Sequence, residues 1–499
     1  MSLKKLTVLG IVLSTCLYVA WLAFPITIIS ADIGRHLADG KIFFGNPEWR
    51  SALLSTNFYS LAVPDFAIIN HHWAAGLLFW IIKSIAGWKG LHIFQIVLGL
   101  ASLGFIVDIA RKKSTTRIAL LVTLCVLPLV AYRHEVRPEY LGYLSLGVIY
   151  WLLENKQSKH LWWIPLIIIG WVNVHASFPL GVGLLFLFTF DAFLRKSAQR
   201  MLLLKVSVVS VVCTVINPAF ISGALYPLSI LSDPGYAVFE NQSIKFLGTI
   251  GVSNWTFTFV KISTVLALLS AGILAYTKQL KNNRPQLMIA ALSIMMAWLS
   301  VRHISVMGFM LIPVFAIALS QVKWPISRKW ITILATTVFI VVAGLQVNHL
   351  KSRWIVLGLE PKANDAAEFM KDHEIGGPFF NNFDIGGYMI YHFFPEHKPF
   401  IYNRPESHPS DFWRTTYIPM MQDRKIWKQQ LDEHQFNAIV LYYGDRTSWA
   451  QDFLKSTIQD FEWAAVFVDK SVIVFVRRNS DNEKLIQQFE IPTHKLIKS

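Results

Sequence analysis

Residues 6–29 read LTVLGIVLSTCLYVAWLAFPITII and run directly into SADIGRHL at 30–37. A run of that length, wound as a helix, covers the ~30 Å of hydrocarbon in a bilayer. It follows Lys4 and Lys5. It is longer than the ~7–15-residue core of a secretion signal, and no small-x-small cleavage site comes after it, so it predicts an uncleaved first transmembrane helix. Just past its end stand Asp32 and His36, four residues apart and therefore on one face if the segment is helical. The same arrangement, an apolar run closing on a knot of ionisable or amide residues, recurs at Asn70-His71-His72, Arg133-His134-Glu135-Val136-Arg137-Pro138-Glu139, Asn173-Val174-His175, Asn217-Pro218 and Arg302-His303.

Composition agrees with a polytopic α-helical membrane protein. The chain has 499 residues, 54% of them hydrophobic and 15% charged, against ~25% charged in a typical soluble domain. The net charge of +15 raises a nucleic-acid reading, but the excess Lys and Arg sits in short loops between apolar runs, where the positive-inside rule puts it. No nucleic-acid partner is expected. Cys16, Cys125 and Cys213 lie within apolar segments, show no metal-ligand spacing and read as packing residues.

The basic loops are Lys4-Lys5, Arg111 to Arg117, Lys156 to His160, Arg195 to Arg200, Lys278 to Arg284 and Lys323 to Lys329. Only Glu154, at a helix end, adds a nearby loop carboxylate. With these loops in the cytoplasm, spans are expected near 118–132, 138–153, 161–175, 178–194, 202–216, 258–277, 286–301, 304–320 and 330–347. Three apolar runs (6–29, 68–86, 90–110) precede Arg111, one too many for that sidedness. The 68–86 run carries Asn70-His71-His72 and Lys83, and reads as an interfacial or re-entrant segment on the outer face. About eleven crossings result, with the N-terminus cytoplasmic, the polar knots on the outer face and the C-terminus extracytoplasmic. The expected domains are 1–348, a transmembrane domain with a first outer loop at 30–89, and 349–499. The latter has no run long enough to span. Its β-like stretches (378–380, 399–402, 438–442, 464–468, 472–476) alternate with helical patterns (362–373, 411–434, 448–458), which predicts an α/β domain with a mostly parallel sheet. It shows neither a P-loop nor a dinucleotide fingerprint.

Each knot has a plain and a chemical reading. Asp32 is either a solvated interfacial acid or a functional carboxylate; the long loop after it, with Asn57-Phe58-Tyr59 and Asn70-His71-His72-Trp73, favours function. Asp32, His36, His71 and His72 are residue types that could hold a divalent metal, although adjacent histidines on a helix point apart. No cofactor beyond that metal is indicated. The 133–139 run is either a solvated turn or a phosphate site in which Arg133 and Arg137 grip the anion, with Glu135 and Glu139 holding them or acting on a hydroxyl. Arg302 beside His303 is costly at a span edge unless paired, and either snorkels or serves the site. Asn173, His134 and His175 join the candidate substrate-binding set. Asn217-Pro218 reads as a helix stop. Cationic groups at headgroup depth suit an anionic lipid such as a polyprenyl-phosphate sugar.

Taken in order, Asp32-x-Gly34-x-His36-Leu37, Asn70-His71-His72-Trp73, Arg137-Pro138, Asn173-x-His175-x-x-Phe178-x-x-Gly181, Asn217-Pro218, Arg302-His303 and Asn381-Asn382-Phe383-Asp384-Ile385-Gly386-Gly387-Tyr388 resemble the GT-C superfamily of membrane glycosyltransferases, over nearly the whole chain and within it a group of bacterial multi-span proteins. The resemblance implies a multi-pass protein of the inner (plasma) membrane. It implies a polyprenyl-phosphate-linked sugar donor, a cell-envelope glycan, glycolipid or protein acceptor, and catalysis by an acid of the first outer loop, here Asp32. Arg35 departs from the group, in which an aromatic residue is common at that place, and no second acid neighbours Asp32. Gly386-Gly387 reads as a strand-to-helix turn, either an anion site or a close packing contact, the latter preferred. A flippase for a lipid-linked saccharide and a non-catalytic assembly protein are the alternatives. Against a flippase, the polar groups collect at one end of clean spans, not at the midplane.

Overall fold

The computed structural model describes residues 3–155, 158–229, 235–322, 328–351 and 355–496. The Lys323–Lys329 loop lies almost wholly outside these residues, as does Lys156. The chain divides into two compact units: Met1–Pro25, Lys89–Ala224 and Ala237–Leu357 in one; Ile26–Trp88, Leu225–Tyr236 and Gly358–Ser499 in the other. The sequence grouped the loop 30–89 with 1–348, whereas its packing partners lie in the C-terminal part of the chain.

The first unit is helical. Helices occur where the apolar runs predicted spans: Leu3–Leu22, Thr116–Val130, Glu139–Asn155, Trp163–Val174, Pro179–Leu194, Arg200–Cys213, Trp255–Tyr276, Arg284–Leu299, Ile304–Gln321 and Arg328–Lys351. Their starts follow local chemistry. Thr115 and Asn254 accept hydrogen bonds from the Ile118 and Thr256 amides, and Pro179 and Pro285 open the first turns of their helices, where no amide donor is missed. Ile304–Gln321 is the central rod, buried almost throughout. It packs on Thr116–Val130, Arg284–Leu299 and Trp255–Tyr276. Gly308 lets it lie against the backbone at Leu129 and Val130, where a Cβ would come within 2.6 Å of the Val130 nitrogen. Many apolar side chains on other helices face outward instead, including Val208, Val212, Leu268 and Leu269. In water that pattern would be unfavourable; against lipid it is what burial requires.

Among the described residues three helices are long and apolar enough to cross a membrane, Trp73–Lys113, Trp255–Tyr276 and Val301–Gln321; others, such as Thr116–Val130, are shorter. The demoted 68–86 stretch becomes helical only from Trp73, and Gly87, at φ +66°, interrupts the helical run that reaches Lys113. At the basic ends, Asp108 takes Arg111 and Lys112 at 2.6 and 2.8 Å, Glu154 takes Lys113 at 2.8 Å, and Asp191 takes Arg195 and Arg284 at 2.7 and 3.3 Å. Asp108 and Asp191 were read as parts of spans, and they share with Glu154 the work of neutralising the basic loops.

The second unit carries a four-stranded sheet, β1 (Phe379–Asn381), β2 (Ala438–Tyr442), β3 (Trp463–Val468) and β4 (Val472–Arg477), in the order β1-β2-β4-β3. Only β1 and β2 are parallel; the β2–β4 and β3–β4 pairs are antiparallel, which corrects the mostly parallel expectation. The cause is the short connection between β3 and β4. Asp469 accepts from the Ser471 and Val472 amides, both at 2.7 Å, and so small a turn can only return the chain alongside itself. Residues 399–402 form no strand. The Asn381 side chain takes two of their hydrogen bonds, accepting from the Phe400 amide at 2.8 Å and donating to the Ile401 carbonyl at 2.9 Å, while the Leu61 and Ala62 amides reach the Pro399 and Phe400 carbonyls. The expected helix 411–434 breaks into Ser410–Phe412, a π-turn at Trp413–Tyr417, Ile418–Gln422 and Arg424–His434, the last capped by Asp423.

Gly386 and Gly387 begin the helix Gly386–Phe393, which packs on the loop helix Ile33–Gly45. A Cβ at Gly34 would lie 2.4 Å from the Gly387 carbonyl oxygen, and one at Gly386 2.2 Å from Tyr402 Cα. The glycine pair is thus a packing contact, and it fixes the turn that bears Asp32. Gly34→Ala must push these helices apart and is expected to cost about 1–3 kcal/mol, read by thermal denaturation in detergent; an unchanged melt would contradict the contact.

Candidate functional site

The predicted residues fall into two neighbourhoods, one in each unit. In the second unit Asp32 directly precedes the helix Ile33–Gly45, partly exposed, with its carbonyl accepting the His36 amide at 3.1 Å. His36 is buried and meets His72 edge-on at 5.1 Å. His72 contacts His71 at 3.9 Å, and His71 contacts Tyr226 at 4.5 Å. The buried Arg404 donates to the Ile69 carbonyl at 2.5 Å and to His71 Nδ1 at 3.3 Å, and pairs with Glu406 at 3.0 Å. The histidine cluster is therefore built of edge-on and tilted rings beside a guanidinium. Among the described residues no three His, Cys, Asp or Glu side chains are gathered so that they could hold a metal. The sequence missed the buried acid here. Asp39, one turn past Arg35, is fully buried, accepts from Tyr59 Oη at 2.8 Å and Asn70 Nδ2 at 3.1 Å, and faces Arg35 at 3.7 Å. Burial pushes its carboxyl up against the opposing pull of Arg35, Asn70 and Tyr59. Asn70 thereby ties the far end of the loop to the helix.

In the first unit the turn between Thr116–Val130 and Glu139–Asn155 gathers most of the remaining residues. Arg133 pairs with Glu139 at 2.9 Å and with Glu240 at 2.7 Å. Arg137 pairs with Glu135 at 2.6 Å and with Glu240 at 3.0 Å. The expectation that Glu135 and Glu139 hold the arginines agrees with these contacts. Glu240, from the short turn Phe239–Asn241, is an addition that the sequence did not signal. Burial alone would raise the Glu240 carboxyl, but Arg133 and Arg137 outweigh it and hold it well below the usual carboxylate range. Arg302 donates to Asn241 Oδ1 at 3.0 Å, and His303 stands within electrostatic range of Arg302, Arg133 and His175. His175 faces Glu139 at 3.8 Å through Nε2. Its Nδ1 accepts from the Ser177 amide at 3.1 Å, which leaves the ring proton on Nε2, toward the carboxylate. His134 lines the same region, edge-on to Phe24 at 4.8 Å. A cavity of about 200 Å³ opens beside Arg133, His134, Glu135 and Glu240, walled by Trp21 and Thr256.

Two motif residues do other work. Asn173 donates to the Ile169 and Ile216 carbonyls, both at 2.8 Å, tying its helix to the turn after Arg200–Cys213. Asn217 closes its own turn through Thr214, Ala219 and Phe220, as a helix stop should. Arg137→Lys keeps the charge on Glu240 but loses the planar fork that also reaches Glu135, and should cost about 1–2 kcal/mol, discounted for Glu135's exposure. Chemical denaturation of the purified chain reads it; no loss would show that the pairing is slack.

No known protein family and no curated protein matches the chain by sequence. Solved structures do match it in fold. The chain is similar to the oligosaccharyltransferase AglB of Archaeoglobus fulgidus in complex with an inhibitory peptide and a dolichol-phosphate. The TM-score is 0.64 and the identity 11%, with 95% of this chain and 74% of that one covered. The same oligosaccharyltransferase tethered with an acceptor peptide gives 0.62 at 11% identity, covering 96% and 75%. ArnT of Cupriavidus metallidurans bound to undecaprenyl phosphate gives 0.54 at 11%, covering 96% and 99%.

Proposed function

We propose that this protein is a glycosyltransferase of the cell envelope that moves a sugar from a polyprenyl-phosphate carrier to a glycan, glycolipid or protein acceptor. The observation that carries the reading is the pair of guanidiniums at Arg133 and Arg137, set in a helical membrane fold and converging on one anionic oxygen pair. Structures of similar fold contain dolichol-phosphate or undecaprenyl phosphate. In the proposed reaction the bond between the anomeric carbon and the phosphate oxygen breaks, and the acceptor oxygen bonds to that carbon. Asp32 takes or orients the acceptor's hydroxyl proton, and the polyprenyl phosphate is the leaving group; Arg133 and Arg137, in the other unit, are the groups suited to bind a phosphate. Arg302, His175 and His303 tune that anion site, while His36, His71 and His72 shape the surroundings of Asp32. About eleven crossings, a cytoplasmic N-terminus, an extracytoplasmic C-terminal part and residence in the inner membrane belong to the same proposal.

Mass spectrometry of lipid-linked intermediates and envelope glycans tests it, in cells with and without the gene. Accumulation of one polyprenyl-phosphate sugar, with loss of the same sugar from an envelope product, is expected in the deletion. Unchanged profiles in both fractions would overturn the reading.

A further inference from the structure

Glu240 sits in an unusual place for a surface-turn residue. Its Oε1 lies 2.7 Å from Arg133 Nη1 and 3.0 Å from Arg137 Nη2, and its Oε2 takes Arg133 Nη2 at 3.0 Å and Arg137 Nη1 at 3.5 Å. One carboxylate thus fills the converging forks of two arginines, an arrangement suited to a phosphate. The cluster as a whole is balanced: Arg133, Arg137 and Arg302 stand against Glu135, Glu139 and Glu240. An external anion can gain these guanidiniums only by exchanging with a carboxylate already there. Glu139 is a helix residue that pairs with Arg133 and faces His175, and Glu135 pairs with Arg137 from the turn itself. Glu240 pairs with both arginines, and it borders the cavity of about 200 Å³.

The backbone around it is pinned. The Glu240 carbonyl accepts from Ser300 Oγ at 2.9 Å, the Gln242 carbonyl accepts from the Val301 amide at 3.0 Å, and Asn241 receives Arg302. The turn need not open for the carboxylate to leave; a rotation of its side chain, already partly exposed, is enough. A phosphomonoester carries about −1.5 to −2 charge at neutral pH, more than one carboxylate, and offers three oxygens instead of two.

Resting on the glycosyl-transfer reading, we infer that Glu240 is a built-in competitor for the phosphate site: a terminal phosphomonoester displaces it from Arg133 and Arg137, and its return expels that phosphate. Transfer of the sugar would convert a singly charged diester into such a monoester, so the residue acts chiefly on release of the spent carrier.

The test is equilibrium binding to the full chain in nanodiscs, with undecaprenyl phosphate in one arm and inorganic phosphate in the other. Glu240→Gln removes the competing charge and should tighten binding about tenfold, equivalent to ~1.4 kcal/mol. Tightening in the lipid arm names the lipid as the source of the phosphate; tightening confined to the other arm names the free ion. Glu240→Asp, which keeps the charge on a shorter stem, should give a smaller gain. Equal or weaker binding by the folded variants overturns the inference, and so does failure of both to fold, because a side chain that leaves its partners in each cycle cannot be what holds the fold. Arg137→Ala separates this from the parent reading. If it loses binding while Glu240→Gln equals the native chain, only the exchange fails; if it binds undecaprenyl phosphate as well as the native chain does, the phosphate site itself is wrong.

Discussion

Asp32→Asn is expected to lower sugar transfer by about 10²–10⁴-fold with the fold intact. The amide has the shape of the acid but cannot take a proton at neutral pH. The Asp32 main-chain carbonyl accepts the His36 amide at the start of the helix Ile33–Gly45 and survives the change, and no side-chain cap bond to that helix is lost. The charge lost near a helix N-terminus is worth under about 1 kcal/mol. The measurement is transfer from a purified polyprenyl-phosphate sugar in nanodiscs, with a thermal melt alongside. Activity above a tenth of native would remove Asp32 from the chemistry and favour a flippase or an assembly protein.

Asp39→Ala is expected to do the reverse, to cost about 3–5 kcal/mol of stability and disorder the first outer loop. Seven residues on from Asp32, this acid is fully buried, so no solvent takes over its partners when it is removed. Tyr59 loses its acceptor, Asn70 Nδ2 keeps only the Leu53 carbonyl, and Arg35 is left as a buried guanidinium without the carboxylate it faces. Asp39→Asn keeps an acceptor for Tyr59 and should lose less than the alanine variant. Denaturant melts of both variants, with limited proteolysis of residues 46–72, measure the difference. A shift within about 1 kcal/mol for Asp39→Ala would show that water enters the network and that the loop is held elsewhere.

The contrast between these two acids shows what could be read ahead of the structure. Asp32 stands out because it ends an apolar run, a signal carried by neighbours in sequence. Asp39 lies in Ala38-Asp39-Gly40, and nothing local distinguishes it from a solvated helix acid; its role comes from Tyr59 and Asn70, 20 and 31 residues away. Glu240 is hidden for the same reason, more than a hundred residues from Arg137. Arg133, Arg137, Glu135 and Glu139 were legible together because one turn holds all four. In the tail, Asn381 and Asn382 belong to the quoted motif and serve the backbone: Asn381 bonds to Phe400 and Ile401, and Asn382 brackets Tyr442 through its amide and carbonyl.

The apolar runs by themselves determined where the helices lie and where the polar knots close them, because burial in hydrocarbon is decided residue by residue along a continuous stretch. The packing of distant segments decided the rest: that the loop 30–89 joins the C-terminal part of the chain, that the sheet is mainly antiparallel, and that a carboxylate from residue 240 fills the arginine fork. Those outcomes depend on short-range contacts between groups far apart in the chain, and ion pairs and hydrogen bonds leave no periodic trace in a sequence.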